Sequence, residues 1–308
     1  TWISEIQDLV REAGESRGHS IPLEVRVPSV AEVCHGIGID ILNWIRDGLV
    51  DIATFSGIRY AEFEMPIEEC VQAAEGTETL VFAGFEPRSP SLLEVDMWRA
   101  VATHYWKAGV DGLHIFNAGN YYYLDGKEMP HLKEMADPEM MARKDKKYQV
   151  TRRLEWSGRE LPQFTYPKQL PCPLKESTDG TGSTIRIQVD DDIEGAKKDG
   201  SLAGITLRIR INDISPPDQL KVRLNGESLR QGRTEFNHWG INANPVGTYI
   251  RGRSTSGWRS AKWIEYDVTE GPELRTGENE VEVILRKKNE EVAVELDLDN
   301  VEVLLTYA

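Results

Sequence analysis

The sequence predicts an α/β region of four parallel βα units followed by an all-β antiparallel sandwich. Three observations carry this. Over residues 1–150, short β-branched strands alternate with stretches of helical spacing. From about residue 184 the apolar period changes from 3.6 to two. Between them, residues 157–184 turn to Pro, Gly, Ser and Thr, so 151–183 reads as a linker or wrapping segment. The expected domains are therefore 1–150, 151–183 and 184–308.

Trp2, Ile3, Ile6, Leu9 and Val10 recur at helical spacing, and Gly14 and Gly18 end that helix. Leu23–Val27 is a strand stopped by Pro28. Ser29, with Glu32 three residues on, predicts a capping box for a helix through Cys34. A further helix starts at Asp40, carries Ile41, Trp44 and Ile45, and stops at Gly48. Leu49–Phe55 is the second strand, and Pro66–Ala74 the next helix, with Pro in its first turn. Thr79–Glu86 is the third strand, Ser91–Ala108 a long helix, and Val110–Asn117 the fourth strand. Alternation of this kind predicts a parallel sheet with right-handed crossovers. Residues 131–147 read as one more helix, interrupted and restarted at Asp137-Pro138. In the β region, Ile185–Val189, Ile205–Ile211, Leu220–Leu224, Val281–Leu285, Val292–Leu296 and Val301–Leu305 alternate. Asn225-Gly226 is a type I′ hairpin signal.

Composition narrows the function classes. Of 308 residues, 36 are Lys or Arg and 51 Asp or Glu, for a net charge of -15. Such a chain repels phosphate backbones, so nucleic acid is not an expected partner. Neutral partners such as sugars carry no such penalty. No run of 18 apolar residues exists, so no membrane helix is expected. The three cysteines make no disulfide framework, and Cys34 and Cys70 read as buried free thiols. Phosphate-loop, dinucleotide, nucleophile-elbow and zinc motifs are absent, and no cofactor or metal is expected. Compartment stays open.

Val25-Arg-Val-Pro28, Gly38-Ile-Asp-Ile41, Trp44-Ile45 and Asp47-Gly-Leu-Val-Asp51 together resemble bacterial family 10-like glycosylhydrolases. Asp111–Asn117, Asn120-Tyr121 and the segment from Asp137-Pro138-Glu139 to Asp145–Tyr148 are similar too. So is Thr276–Glu280, in the style of the accessory β domains of such proteins. The resemblance covers most of residues 1–150. It implies an eight-stranded barrel, of which four βα units are about half of the roughly 250 residues needed. The expected fold class is thus a half-barrel, strands five to eight, followed by a sandwich or jelly roll. It also implies completion by an upstream half or by a second copy of the chain.

Glu86 is the leading catalytic candidate. It ends an apolar strand, where parallel barrels place their chemistry, and the resemblance makes it a strand-seven nucleophile or base. Glycoside hydrolysis needs a second carboxyl group about 5–9.5 Å away. The resemblance puts that group upstream of Thr1. Glu62 and Glu64 lie in the loop after the second strand and could supply that second carboxylate, but acids there are ordinarily solvated. The ordinary reading of Glu86 is a surface residue pairing with Arg88 or capping a helix. Arg26 points away from Val25 and Val27, either under a helix or into an interior where it needs a carboxylate or a sugar hydroxyl. Ser56 and Arg59 after the second strand, and Asn117 and Asn120 after the fourth, are groups that hydrogen-bond hydroxyls. Turn chemistry is their ordinary alternative. Tyr121 opens a Tyr triplet whose faces could stack on sugar rings. His114, alone on a strand, reads as a satisfied core residue. In the β region, Trp239 and Trp258 read as stacking residues of a carbohydrate-binding face, and Trp263 as a core residue. The function this predicts is acid/base hydrolysis of a poly- or oligosaccharide. The alternative is a noncatalytic carbohydrate-binding or structural protein.

Overall fold

The structure is a computed structural model, and it describes residues 1–57, 62–85, 94–116, 131–151, 167–230, 232–237 and 261–308. These fall into two compact units, and the division passes through two helices, between Thr103 and His104 and between Leu132 and Lys133.

The first unit is built on a parallel sheet of β1 (Glu24–Val27), β2 (Ile52–Ser56), β3 (Leu80–Phe85) and β4 (Gly112–Ile115), in that spatial order. Helices α1 (Trp2–Arg17), α2 (Ala31–Gly36), α3 (Ile41–Arg46) and α4 (Glu68–Ala74) belong to it, and α5 (Val95–Ala108) spans the division. Strand alternation gives the sheet two faces. Val27, Ala53, Phe55, Val81 and Ala83 are buried on one, and Ile41, Ile45, Ile67 and Cys70 are buried in the helical layer. Two aspartates fix the strand starts. Asp51 accepts from the backbone N–H of Leu23 at 2.6 Å, and Asp111 from that of Val81 at 2.8 Å. Each ties a loop to the start of the preceding strand, so these Asp residues of the sequence motifs serve the sheet. Cys34 and Cys70 are buried free thiols, and burial pushes the Cys34 thiol up to about 12.

Helix α1 ends in a left-handed Gly18, while Gly14 lies inside it: a Cβ there would meet the His19 carbonyl at 2.9 Å. The expected Ser29 cap does not form. Val30 holds the N-cap position of α2, without a side-chain bond.

The second unit contains two antiparallel sheets. One is ordered β10-β9-β13-β7, from β7 (Ser183–Val189), β9 (Gln219–Leu224), β10 (Glu227–Ser228) and β13 (Gly277–Lys287). The other is ordered β11-β12-β8-β14-β5. Its strands are β5 (Lys146–Gln149), β8 (Leu202–Asn212), β11 (Arg233–Asn237), β12 (Ala261–Asp267) and β14 (Leu296–Tyr307), and β6 (Cys172–Leu174) also pairs with β14. Ile185, Ile187, Val222, Val281 and Val283 of the first share one core with Leu207, Ile209, Ile264, Val301 and Val303 of the second. Short helices α7 (Pro138–Met141) and α8 (Ile193–Asp199) belong to it, and α6 (His131–Met135) spans the division. Asn225 and Gly226 take positive φ of 50° and 85°, as a type I′ turn between β9 and β10 requires.

This overturns the expected fold class of a C-terminal half-barrel followed by a sandwich. The parallel strands come early and form an open four-stranded sheet. The next strand, β5, does not extend that sheet. It pairs antiparallel with β14, Tyr148 opposite Val303. Of the helix predicted over 131–147, His131–Met135 forms and a new short helix capped by Asp137 starts at Pro138, but Lys146–Gln149 are buried β residues instead. Val292–Glu295 is a turn region, and the strand starts at Leu296. No described helix is long and apolar enough to cross a membrane.

Candidate functional site

The second face of the parallel sheet is polar. Register puts Arg26, Thr54, Phe82 and Gly112 in one row across β1–β4, and Ser56, Gly84 and His114 in the next. Glu24 precedes Arg26 on the same face by alternation. Two glycines make room for their neighbours. A Cβ on Gly112 would lie 2.6 Å from the Phe82 ring, so that ring lies over the bare backbone of β4. A Cβ on Gly84 would lie 2.7 Å from the Ser56 Cβ.

The Glu24 carboxylate accepts from the Thr54 hydroxyl at 2.7 Å and lies 3.2 Å from His114 Nδ1. Glu24 and His114 sit on the first and last strands. In a flat sheet those strands would be about 14 Å apart, three spacings of roughly 4.8 Å. The sheet therefore curls across its polar face, and side chains of its two ends meet. A second contact spans it the same way: the Arg26 guanidinium lies 3.8 Å from the Phe116 ring centroid. Arg26 also donates to Ser56 Oγ at 2.7 Å and to the Gly57 carbonyl at 3.2 Å. The Ser56 hydroxyl donates in turn to Gly57 O at 3.0 Å.

Beyond β2, Glu62 is only 1% exposed. A Cβ on Gly57 would lie 2.7 Å from Glu62 Oε2, so the carboxylate is packed onto that glycine. The expectation of a solvated loop acid is thus corrected. Tyr105 donates to the Glu62 carbonyl and accepts from the Met65 N–H at 3.4 Å. Burial first, and then the Glu62 carboxylate, holds the Tyr105 phenol well above its ordinary range, so it stays a donor.

The arrangement joins a carboxylate–imidazole pair to an arginine and two aromatic rings on one accessible face. A carboxylate at Nδ1 fixes the imidazole tautomer and leaves Nε2 as base or acid. The His114 and Glu24 side chains are 29% and 40% exposed, so solvent and solute can reach them. Among the described residues no group of three His, Cys, Asp or Glu could hold a metal.

Of the sequence candidates, Arg26 and Ser56 are brought together here. Glu86, Arg59, Asn117, Asn120, Tyr121, Trp239 and Trp258 lie outside the described residues. Glu24 belongs to no motif in the sequence, and His114, alone on a strand, reads there as an ordinary core residue. Their shared parity with Arg26 and Ser56 was the available signal. Trp263 is not a core residue. It has the parity of Glu265, opposite to Ile264 and Tyr266, and its ring takes the Arg208 guanidinium at 4.3 Å.

No protein-family model matches the chain, and no curated protein is similar to it. Among solved structures it is similar to a two-domain esterase active on acetylated mannans, seen both alone and with mannopentaose. Identity is 12% in each case. The match covers 92% of this chain and 78% of the mannopentaose-bound chain, or 79% of the other. The TM-score of 0.25 is too low for the likeness to carry fold or chemistry across.

Proposed function

We propose that the polar face of the parallel sheet binds a carbohydrate and hydrolyses a glycosidic bond in it. The observation that carries the reading is the Glu24–His114 pair, 3.2 Å apart across the curled sheet. His114 Nε2 moves the proton, and Glu24 holds the ring and steadies its charge. Arg26, held in place by the buried Ser56 hydroxyl, supplies hydrogen bonds to sugar hydroxyls, and Phe82 and Phe116 supply ring surface. Glu86, which follows β3 directly in the chain, is the proposed carboxylate nucleophile.

Hydrolysis of a panel of neutral oligosaccharides tests this. His114→Ala should lower kcat about 10²–10⁴-fold, as loss of a general acid/base does. Glu86→Gln should abolish turnover while binding persists. Full activity in His114→Ala would remove the pair from the chemistry. Glycan binding by the unaltered chain without any turnover would favour the noncatalytic reading.

A further inference from the structure

One cleft of the second unit has a volume of about 800 Å³, inside the roughly 300–1,000 Å³ of small-molecule sites. It is acidic. Glu227, Glu265, Asp267 and Glu270 line it, and among the described residues its one cation is Arg230. Two of the acids are engaged: Glu265 pairs with Arg208 at 3.6 Å, and Asp267 accepts from the Thr269 N–H at 2.9 Å. The other two are not. The exposed side chains of Glu227 and Glu270 make no hydrogen bond or ion pair among the described residues, with Arg230 or with any other.

Tyr266 is a second, independent feature. It is 8% exposed, it lines the cleft, and its hydroxyl makes no hydrogen bond among the described residues. Burial alone raises the phenol, to about 12, so it stays neutral with its donor and its lone pairs unused. The hydroxyl end of the ring is at the cleft wall. A Cβ on Gly232, another lining residue, would lie 3.0 Å from Tyr266 Cε1, the carbon next to the one that carries the hydroxyl. A buried hydroxyl without a partner has given up water and gained no bond, and a ligand that bonds to it recovers the loss.

We propose that this cleft binds a small organic ammonium, its N–H donated to the Tyr266 oxygen, its charge in the field of Glu227 and Glu270, and its body against Leu229 and Pro272. The two free carboxylates and the chain's net charge of -15 attract a cation and repel an anion. A neutral alcohol would satisfy the phenol but gain nothing from that field. The inference is independent of the site on the parallel sheet.

Calorimetric titration of the full chain at about pH 6, where amines are protonated and carboxylates ionised, tests it. The probes are hexylamine and glucosamine, with hexanol and glucose as neutral counterparts. At least one amine should bind saturably, about tenfold tighter than its counterpart, and salt should shrink that preference by screening the carboxylates. Which of the two binds tells whether the body is a hydrocarbon or a sugar ring. The double variant Glu227→Gln/Glu270→Gln changes two exposed positions and should abolish the preference. Tyr266→Phe keeps the ring and should weaken the amine about fivefold, as loss of a charge-assisted hydrogen bond does. If circular dichroism shows that Tyr266→Phe does not fold, the double variant decides. Absence of saturable binding by both amines, or equal binding of each amine and its counterpart, would overturn the proposal. So would a preference untouched in the double variant, or an amine affinity untouched in a folded Tyr266→Phe.

Discussion

Gly112 shows how much of the site is set by an absent side chain. The Phe82 ring occupies the place its Cβ would take, at 2.6–2.9 Å. Gly112→Ala should therefore displace the ring and cost about 1–3 kcal/mol, the usual penalty of overpacking. Urea unfolding would measure it, and an unchanged midpoint would mean the ring has room to move. Arg26 was legible because it alternates with Val25 and Val27, so parity placed it on the opposite face, and Ser56 because it ends the second strand. Glu24 and His114 were not. Ninety residues separate them, and their contact depends on the curl of the sheet, which no local pattern encodes. Glu62 defeats the expectation that loop acids are wet: it is buried, and its carboxylate packs onto Gly57 where any side chain would stand in the way.

At the scale of elements, most alternating strands were legible, Val292–Glu295 being the exception, and the latter part of the helix expected over 131–147 was not. Its first part joins the buried Met135 to a charge network. Glu134 of α6 accepts from Arg99 at 2.8 Å and from Lys144 at 2.8 Å. Its latter part is β5, where Lys146 is buried and donates to the Met141 carbonyl at 2.7 Å beside Asp191. Buried lysines in a strand defeat any reading by hydrophobic period. The Glu134 network has a pH signature. Hydrogen bonds from Arg99 hold its carboxyl below the ordinary value of 4.5. A depressed folded pKa means the native state binds fewer protons, so the stabilisation is complete above about 4.5 and is lost as pH falls through the folded value. Glu134→Gln should flatten the stability profile below that pH and lower stability at pH 7 modestly, since the pair is partly exposed. Thermal melts from pH 3 to pH 7, on a scale of roughly one-unit steps, would show it; parallel profiles for the two proteins would refute it.

For the whole molecule, the parallel order of β1–β4 followed from alternating strands and helices, but closure did not. A barrel and an open sheet use the same βα repeats, and only the next strand distinguishes them. That strand is β5, and its partner β14 begins near residue 296, far along the chain. β14 is the hub of the second unit. It pairs with β8 over nearly its full length, with β5 at Glu302–Leu305, and with β6 at Leu296–Leu298. Val301, Val303 and Leu305 are each buried to within 1% in the shared core. Ending the chain at Glu295 would expose the inner edges of β8 and β5 and remove those side chains together. Fully burying each is worth roughly 1.5–3 kcal/mol, so three alone rival the 5–15 kcal/mol of a whole domain. Hydrogen exchange should then show β8, β12 and β5 amides unprotected, while β2 and β3 in the first unit, whose pairings do not involve β14, keep theirs. Persistent protection of β8 in the shortened chain would show that β12 and the opposing sheet suffice to hold it, and that the order of the second unit does not depend on its last strand.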